Sequence, residues 1–231
     1  MVERRWGAGT SWADQIATAS GIVFVVLAAI AFALVGDAES NASTEELFAY
    51  FGDNSERVQW GALLFGFAAA FLLWFGGTIA SALRRAEGDA AGRLPAIAVA
   101  GVASSVALYL IGVGAWVAFA RTAGEEGVSR SLYDLGQQVI GLSPFTAVAF
   151  VWAVSTGIMR TRLLPDWVGW LGTALTVLLL ADGVYEALRN SSGLSVLGTI
   201  AFVAFLAWVL IASVLLTLDV RARERGRLTT A

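Results

Sequence analysis

The chain of 231 residues is 58% hydrophobic and only 14% charged, with a mean hydropathy of +0.73 and a net charge of −3. Soluble domains run at roughly 45–50% apolar and about 25% charged, so the solvent for most of this chain is lipid. All 15 basic residues are Arg, and there is no His, Cys or Lys. That excludes a His/Cys zinc site, haem held by His or Cys, a thiolate nucleophile, a disulfide, a Lys Schiff base and a phosphate loop.

Six apolar runs follow in chain order, over about 16–35, 58–83, 94–120, 139–159, 167–188 and 194–218. At ~1.5 Å per residue each can cross a hydrocarbon core of roughly 30 Å. The runs are continuous and lack the alternation of barrel strands, and a helix satisfies its own backbone in lipid. The expectation is all-α: a polytopic membrane protein whose six transmembrane helices form one domain over 1–231. The first run is about twenty residues, longer than the 7–15 of a signal-peptide core, so it reads as a retained helix.

Two connections carry patterns of their own. In "NASTEELFAYFGDNSER", Ser43 and Glu46 make a capping box, followed by Leu47, Phe48, Tyr50 and Phe51. In "GVSRSLYDLGQQVIGLSP", Val128, Leu132, Leu135, Val139 and Leu142 recur at helical spacing opposite Ser131, Asp134 and Gln138. Residues 44–52 and 128–138 are therefore expected as two short amphipathic helices on the outer membrane surface. "ELFAY" and "SLYDL" recur 85 residues apart, too few matches to establish a duplication. The other connections, "RRAEGDAAGRLP" and "RTRLLPDW", are short and place Pro95 and Pro165 in the first turns of the next helices.

The arginines set an expected orientation. With the N-terminus inside, Arg4, Arg5, Arg84, Arg85, Arg93, Arg160, Arg162, Arg221, Arg223, Arg225 and Arg227 are cytoplasmic, whereas Arg57, Arg121, Arg130 and Arg189 face out. Eleven against four satisfies the positive-inside rule, with both termini cytoplasmic in a bacterial plasma membrane. The basic tail "DVRARERGRLTTA" then extends helix six into the anionic headgroup layer.

Charge inside a membrane is expensive and is the usual pointer to function. The second, third and fourth runs carry none between their ends, which argues against proton- or sodium-coupled transport. The fifth holds "VLLLADGVYEALRNSSG", where Asp182 and Glu186 share a helix face and Arg189 follows one turn on. Asp182 lies about 24 Å along the axis from Asp166, near the outer edge of the hydrocarbon, with Glu186 at the headgroups. The preferred reading is the wet end of a spanning helix with Arg189 as partner. The competing reading is an ion- or ligand-handling site built from Asp182, Glu186, Arg189 and Asp134, with Asp182 and Glu186 the catalytic pair if the protein is an enzyme.

Glu45, Glu46, Asp53, Glu56, Glu125 and Glu126 join these acids on the same side. They read as the acidic half of a positive-inside protein; no spacing matches a calcium loop, and neither metal nor cofactor is expected. Small residues form stripes at Ala62, Gly66 and Ala70, at Ala98, Gly101, Ser105 and Gly112, and at Gly172, Thr176 and Gly183, as close helix packing in lipid requires. Trp60, Trp167 and Trp170 sit where an interfacial belt belongs. Tyr109, Trp74, Trp116, Trp152 and Trp208 lie deeper, as lipid-facing or core residues or as the lining of an apolar cavity.

"FLLWFGGTIASALRRAEGDAAGRL" and "RLLPDWVGWLGTAL" resemble segments of uncharacterised actinobacterial six-helix membrane proteins, similar to the bacterial family filed as domain of unknown function 4386. The resemblance implies topology and brings no catalytic residues with it. The function expected is a non-enzymatic accessory or lipid-contacting role. Partners are membrane lipids, with a second copy or another membrane protein as further candidates, and no nucleic acid. Two alternatives stand beside it: a small transporter or channel for an apolar solute, and a membrane enzyme acting on a lipid or isoprenoid. The enzyme requires Asp182 or Glu186 to point into a pocket between helices.

Overall fold

A computed structural model describes residues 11–36, 44–88, 92–121, 126–188 and 195–229, and among these every regular element is an α-helix. The helices are α1 (Ser11–Val35), α2 (Thr44–Asp53), α3 (Ser55–Glu87), α4 (Leu94–Arg121), α5 (Glu126–Thr161), α6 (Asp166–Leu188) and α7 (Val196–Thr229). All but α2 are long and apolar enough to cross a membrane, and they match the six expected runs. The protein is a multi-pass membrane protein.

The spanning helices close into a ring. Each packs on the next, α1 on α3, α3 on α4, α4 on α5, α5 on α6 and α6 on α7, and α7 returns to α1. The closing seam is polar: the Ser213 hydroxyl donates to the Thr18 carbonyl at 2.5 Å, and the Thr217 hydroxyl lies 3.0 Å from that of Thr18, all buried. A polar tie of this kind fixes register where apolar packing is not selective, because lipid is as apolar as the core. Outward faces stay apolar, with Trp74, Ile111, Val177 and Val203 each more than half exposed, as lipid contact demands.

One end of the ring gathers Arg84, Arg85 and Arg160 at the last turns of α3 and α5; it is the arginine end. The opposite, acidic end holds α2, the close of α1 and α6, and the start of α3, α5 and α7. Gly36, at φ +65°, ends α1 there, and the Tyr50 hydroxyl donates to the Val35 carbonyl at 2.7 Å, fastening α2 to α1. The capping box expected for α2 involves Ser43, which lies outside the described residues.

The second short helix expected at 128–138 is not a separate element. That stretch is helical, but it runs without a break into the span, so α5 is 36 residues and about 54 Å long. Its first turns do not lie flat: Tyr133 is buried against Phe51 of α2 and against Trp116 and Phe119 of α4. Gly112 and Gly136 let α4 and α5 close here, since a Cβ on either would come within about 3 Å of the other's carbonyl oxygen.

Pro144 sits inside α5, where it lacks the N–H that would bond the Ile140 carbonyl. The Ser143 hydroxyl donates to that carbonyl instead, at 2.7 Å, and the helix continues.

The small-residue stripes sort into two kinds. A Cβ on Gly101 would stand 2.5 Å from the Phe150 backbone nitrogen, so the α4–α5 stripe is a packing seam. In the stripe of Ala62, Gly66 and Ala70, Ala62 packs against the core, but nothing lies within 4 Å of a Cβ at Gly66. The α1–α3 seam runs through Gly61, whose Cβ would meet Val35 and the Ala31 carbonyl.

Candidate functional site

A ring of six helices leaves an axis to fill, and here it is incompletely filled. A cavity of about 130 Å³ lies between the spanning helices, and every one of them contributes to its wall. Phe24, Phe65, Tyr109, Phe202 and Phe205 are the aromatic part of the lining. Phe205 of the lining packs edge-on to Phe150, which in turn packs edge-on to Trp208, and both of these are buried. Toward the acidic end the wall turns polar, with Gln137, Ser143, Asp182 and Glu186; Gln137 and Glu186 are part-exposed.

Asp182 is the deeper acid, as its place on α6 requires, and it faces the interior of the bundle. It is 5% exposed, it lines the cavity, and its Oδ1 has no hydrogen-bond partner. A buried carboxylate oxygen left unpaired costs stability that the fold must supply elsewhere. Glu186, one turn on, lines the same cavity. The wet-end reading therefore fits Glu186 better than Asp182. Arg189, the expected partner of either, lies outside the described residues.

Helix α7 completes the site from the facing side. Ser195 precedes it as a cap, its Oγ accepting the Gly198 N–H at 2.8 Å. A Cβ on Gly198 would stand 3.1 Å from Ser195 Oγ, 3.3 Å from Asp182 Oδ1 and 3.8 Å from Glu186 Oε1. Three oxygens thus converge where glycine leaves space, and the positive end of the α7 dipole faces the two carboxylates. Only a residue without a side chain keeps that space open.

Other expected sites fall elsewhere. Asp134 is on α5 beside Tyr133 and takes no part in the cavity wall. Among the described residues no three acids come together as a metal-binding group. Of the deep aromatics Tyr109 lines the cavity; Trp116 and Trp208 are core, Trp208 donating its indole N–H to the Val168 carbonyl at 3.1 Å, and Trp74 and Trp152 face lipid. Trp60, Trp167 and Trp170 are half-exposed or more at helix starts, as a belt requires.

Gln137, Ser195, Gly198 and Phe202 were not singled out by sequence. A Ser–x–x–Gly start to an apolar helix, seven residues past the end of α6 at Leu188, is the only signal that points to two of them. Compared with known proteins, the chain matches no family model, no curated protein and no solved structure.

Proposed function

We propose that the protein is a non-enzymatic membrane protein that holds a small, largely apolar solute in its central cavity, as a carrier or binding protein rather than a purely accessory subunit. The observation that carries this reading is the cavity itself, walled by all six spanning helices and polar only toward one end. Packed interiors rarely leave voids, and an engineered apolar cavity of about 150 Å³ binds benzene. A purely structural bundle has no use for such a space. The arginine asymmetry supports cytoplasmic termini in a bacterial plasma membrane, so the polar mouth of the cavity faces outward. Lipids are then the immediate partners, in keeping with the resemblance to the six-helix family.

The test is binding of toluene to the purified protein in lipid nanodiscs, with empty nanodiscs as the partition control. Saturable uptake above that control is expected, and Ala201→Leu, which fills the buried wall, should abolish it. Equal uptake by the variant and the unmodified protein would exclude the reading.

The enzyme is the second reading, favoured by one observation: both carboxylates line the same cavity. Its substrate argues the other way. A cavity of about 130 Å³ holds one ring-sized group and not an isoprenoid chain.

A further inference from the structure

We infer that the cavity selects a small apolar primary amine, bound as its ammonium, with the charged nitrogen at Asp182, Glu186 and Ser195 and the apolar body among the aromatic side chains. The inference rests on the ligand-binding reading above and deepens it by naming the ligand's chemistry.

The donor count carries the argument. An alkylammonium has three N–H donors and no acceptor, and it needs three acceptors in a compact arrangement. The site supplies them from three side chains: Asp182 Oδ1, Glu186 Oε1 and Ser195 Oγ, all within 4 Å of the point that a Cβ on Gly198 would occupy. Asp182 Oδ1 is unpartnered in a residue 5% exposed. Ser195 Oγ accepts the Gly198 N–H, and a hydroxyl oxygen accepts twice. The buried, unpartnered Asp182 Oδ1 gains a charge-assisted hydrogen bond from such a ligand.

Alternative occupants fit less well. Calcium takes 6–8 oxygen ligands, and the described residues bring no third acid to this point. An anion is excluded by the two carboxylates. A neutral apolar solute fills the cavity but leaves Asp182 Oδ1 unpaired. The remainder of the wall suits the rest of an amine. Phe65 and Tyr109 lie 5.9 Å apart and Tyr109 and Phe202 are stacked at 6.4 Å, an aromatic wall for the apolar body. The volume, about 130 Å³, matches one benzene-sized group.

The experiment compares benzylamine, benzyl alcohol and toluene for binding to the full-length protein in nanodiscs, at a pH where benzylamine is protonated. Charge-assisted hydrogen bonds predict that benzylamine binds about tenfold or more tighter than benzyl alcohol. Asp182→Asn should reduce that preference to about twofold. Gly198→Ala should do the same by placing a methyl group among the three oxygens, which guards against a misfolded Asp182 variant. Toluene binding with no preference for benzylamine over benzyl alcohol overturns this inference and leaves the apolar cavity standing. Binding of none of the three overturns both. A benzylamine preference that survives both substitutions also refutes it, because the charge would then be recognised elsewhere.

Discussion

Ser143 donates its hydroxyl to the Ile140 carbonyl at 2.7 Å, in place of the N–H that Pro144 lacks. The pair lets a proline stand inside a spanning helix at the cavity wall, where Ile140, Ser143 and Pro144 all contribute. Thr146 donates in turn to the Ser143 carbonyl at 2.8 Å and lies 3.0 Å from Ser105 of α4, so the local repair is tied to the α4–α5 seam.

Removing the hydroxyl should expose that dependence. Ser143→Ala is expected to cost about 1 kcal/mol, the scale of side-chain hydrogen bonds within membrane bundles. In a Pro144→Ala background the backbone N–H returns, and the same change should cost close to nothing. Reversible unfolding in mixed micelles measures both sides of this double-mutant cycle. Equal costs in the two backgrounds would show that Ser143 does not serve the Ile140 carbonyl.

Two glycines of the expected stripes should respond oppositely to alanine. Gly101→Ala puts a methyl group 2.5 Å from the Phe150 nitrogen and 3.0 Å from the Ala149 carbonyl carbon. Backbone cannot move aside as a side chain can, so a loss of about 1–3 kcal/mol is expected. Gly66→Ala meets nothing within 4 Å and removes a helix-interior glycine, for a gain of up to about 1 kcal/mol. The same unfolding assay decides, and matching signs would mean the seam is misplaced.

Asp182 should trade stability for binding. Its Oδ1 is buried and unpartnered beside an open volume, so Asp182→Leu has room and removes an unsatisfied acceptor. A gain on the order of 1–3 kcal/mol is expected, together with loss of benzylamine binding. A thermal midpoint below that of the unmodified protein would show instead that the carboxylate holds the fold together.

Orientation is open to labelling. Glu45 and Ala86 are both exposed, at the acidic and arginine ends respectively. Cysteines placed there should differ in intact cells: Glu45→Cys should react with an impermeant thiol reagent and Ala86→Cys should not. Labelling at position 86 alone would reverse the assignment of sides.

What the sequence by itself determined is what depends on local physics. A backbone in lipid must bond to itself, so long apolar runs become helices, and all six were legible, although α5 begins at Glu126 rather than near 139 and α7 runs on to Thr229 rather than ending near 218. The short α2 was legible from the capping box read at Ser43 and Glu46 and the apolar residues that follow it, although Ser43 itself lies outside the described residues. That Asp182 lies one turn further from the end of α6 than Glu186 followed from their spacing alone.

What only the tertiary structure decided is which face of each helix turns inward. In water that question is answered by polarity, but in lipid both faces are apolar, and periodicity loses its meaning. Gly61 and Gly66 show the consequence: they are equally small and lie on one helix, yet a Cβ on Gly61 would meet α1 and one on Gly66 would meet nothing within 4 Å. The break expected before residue 139 was missing for a related reason, since nothing near it stops a helix and Ser143 repairs the one residue that would. The cavity was beyond reach for the same cause. It exists because α7 closes on α1 and brings Ser195 and Gly198 opposite Asp182, a meeting of residues no pattern along the chain connects.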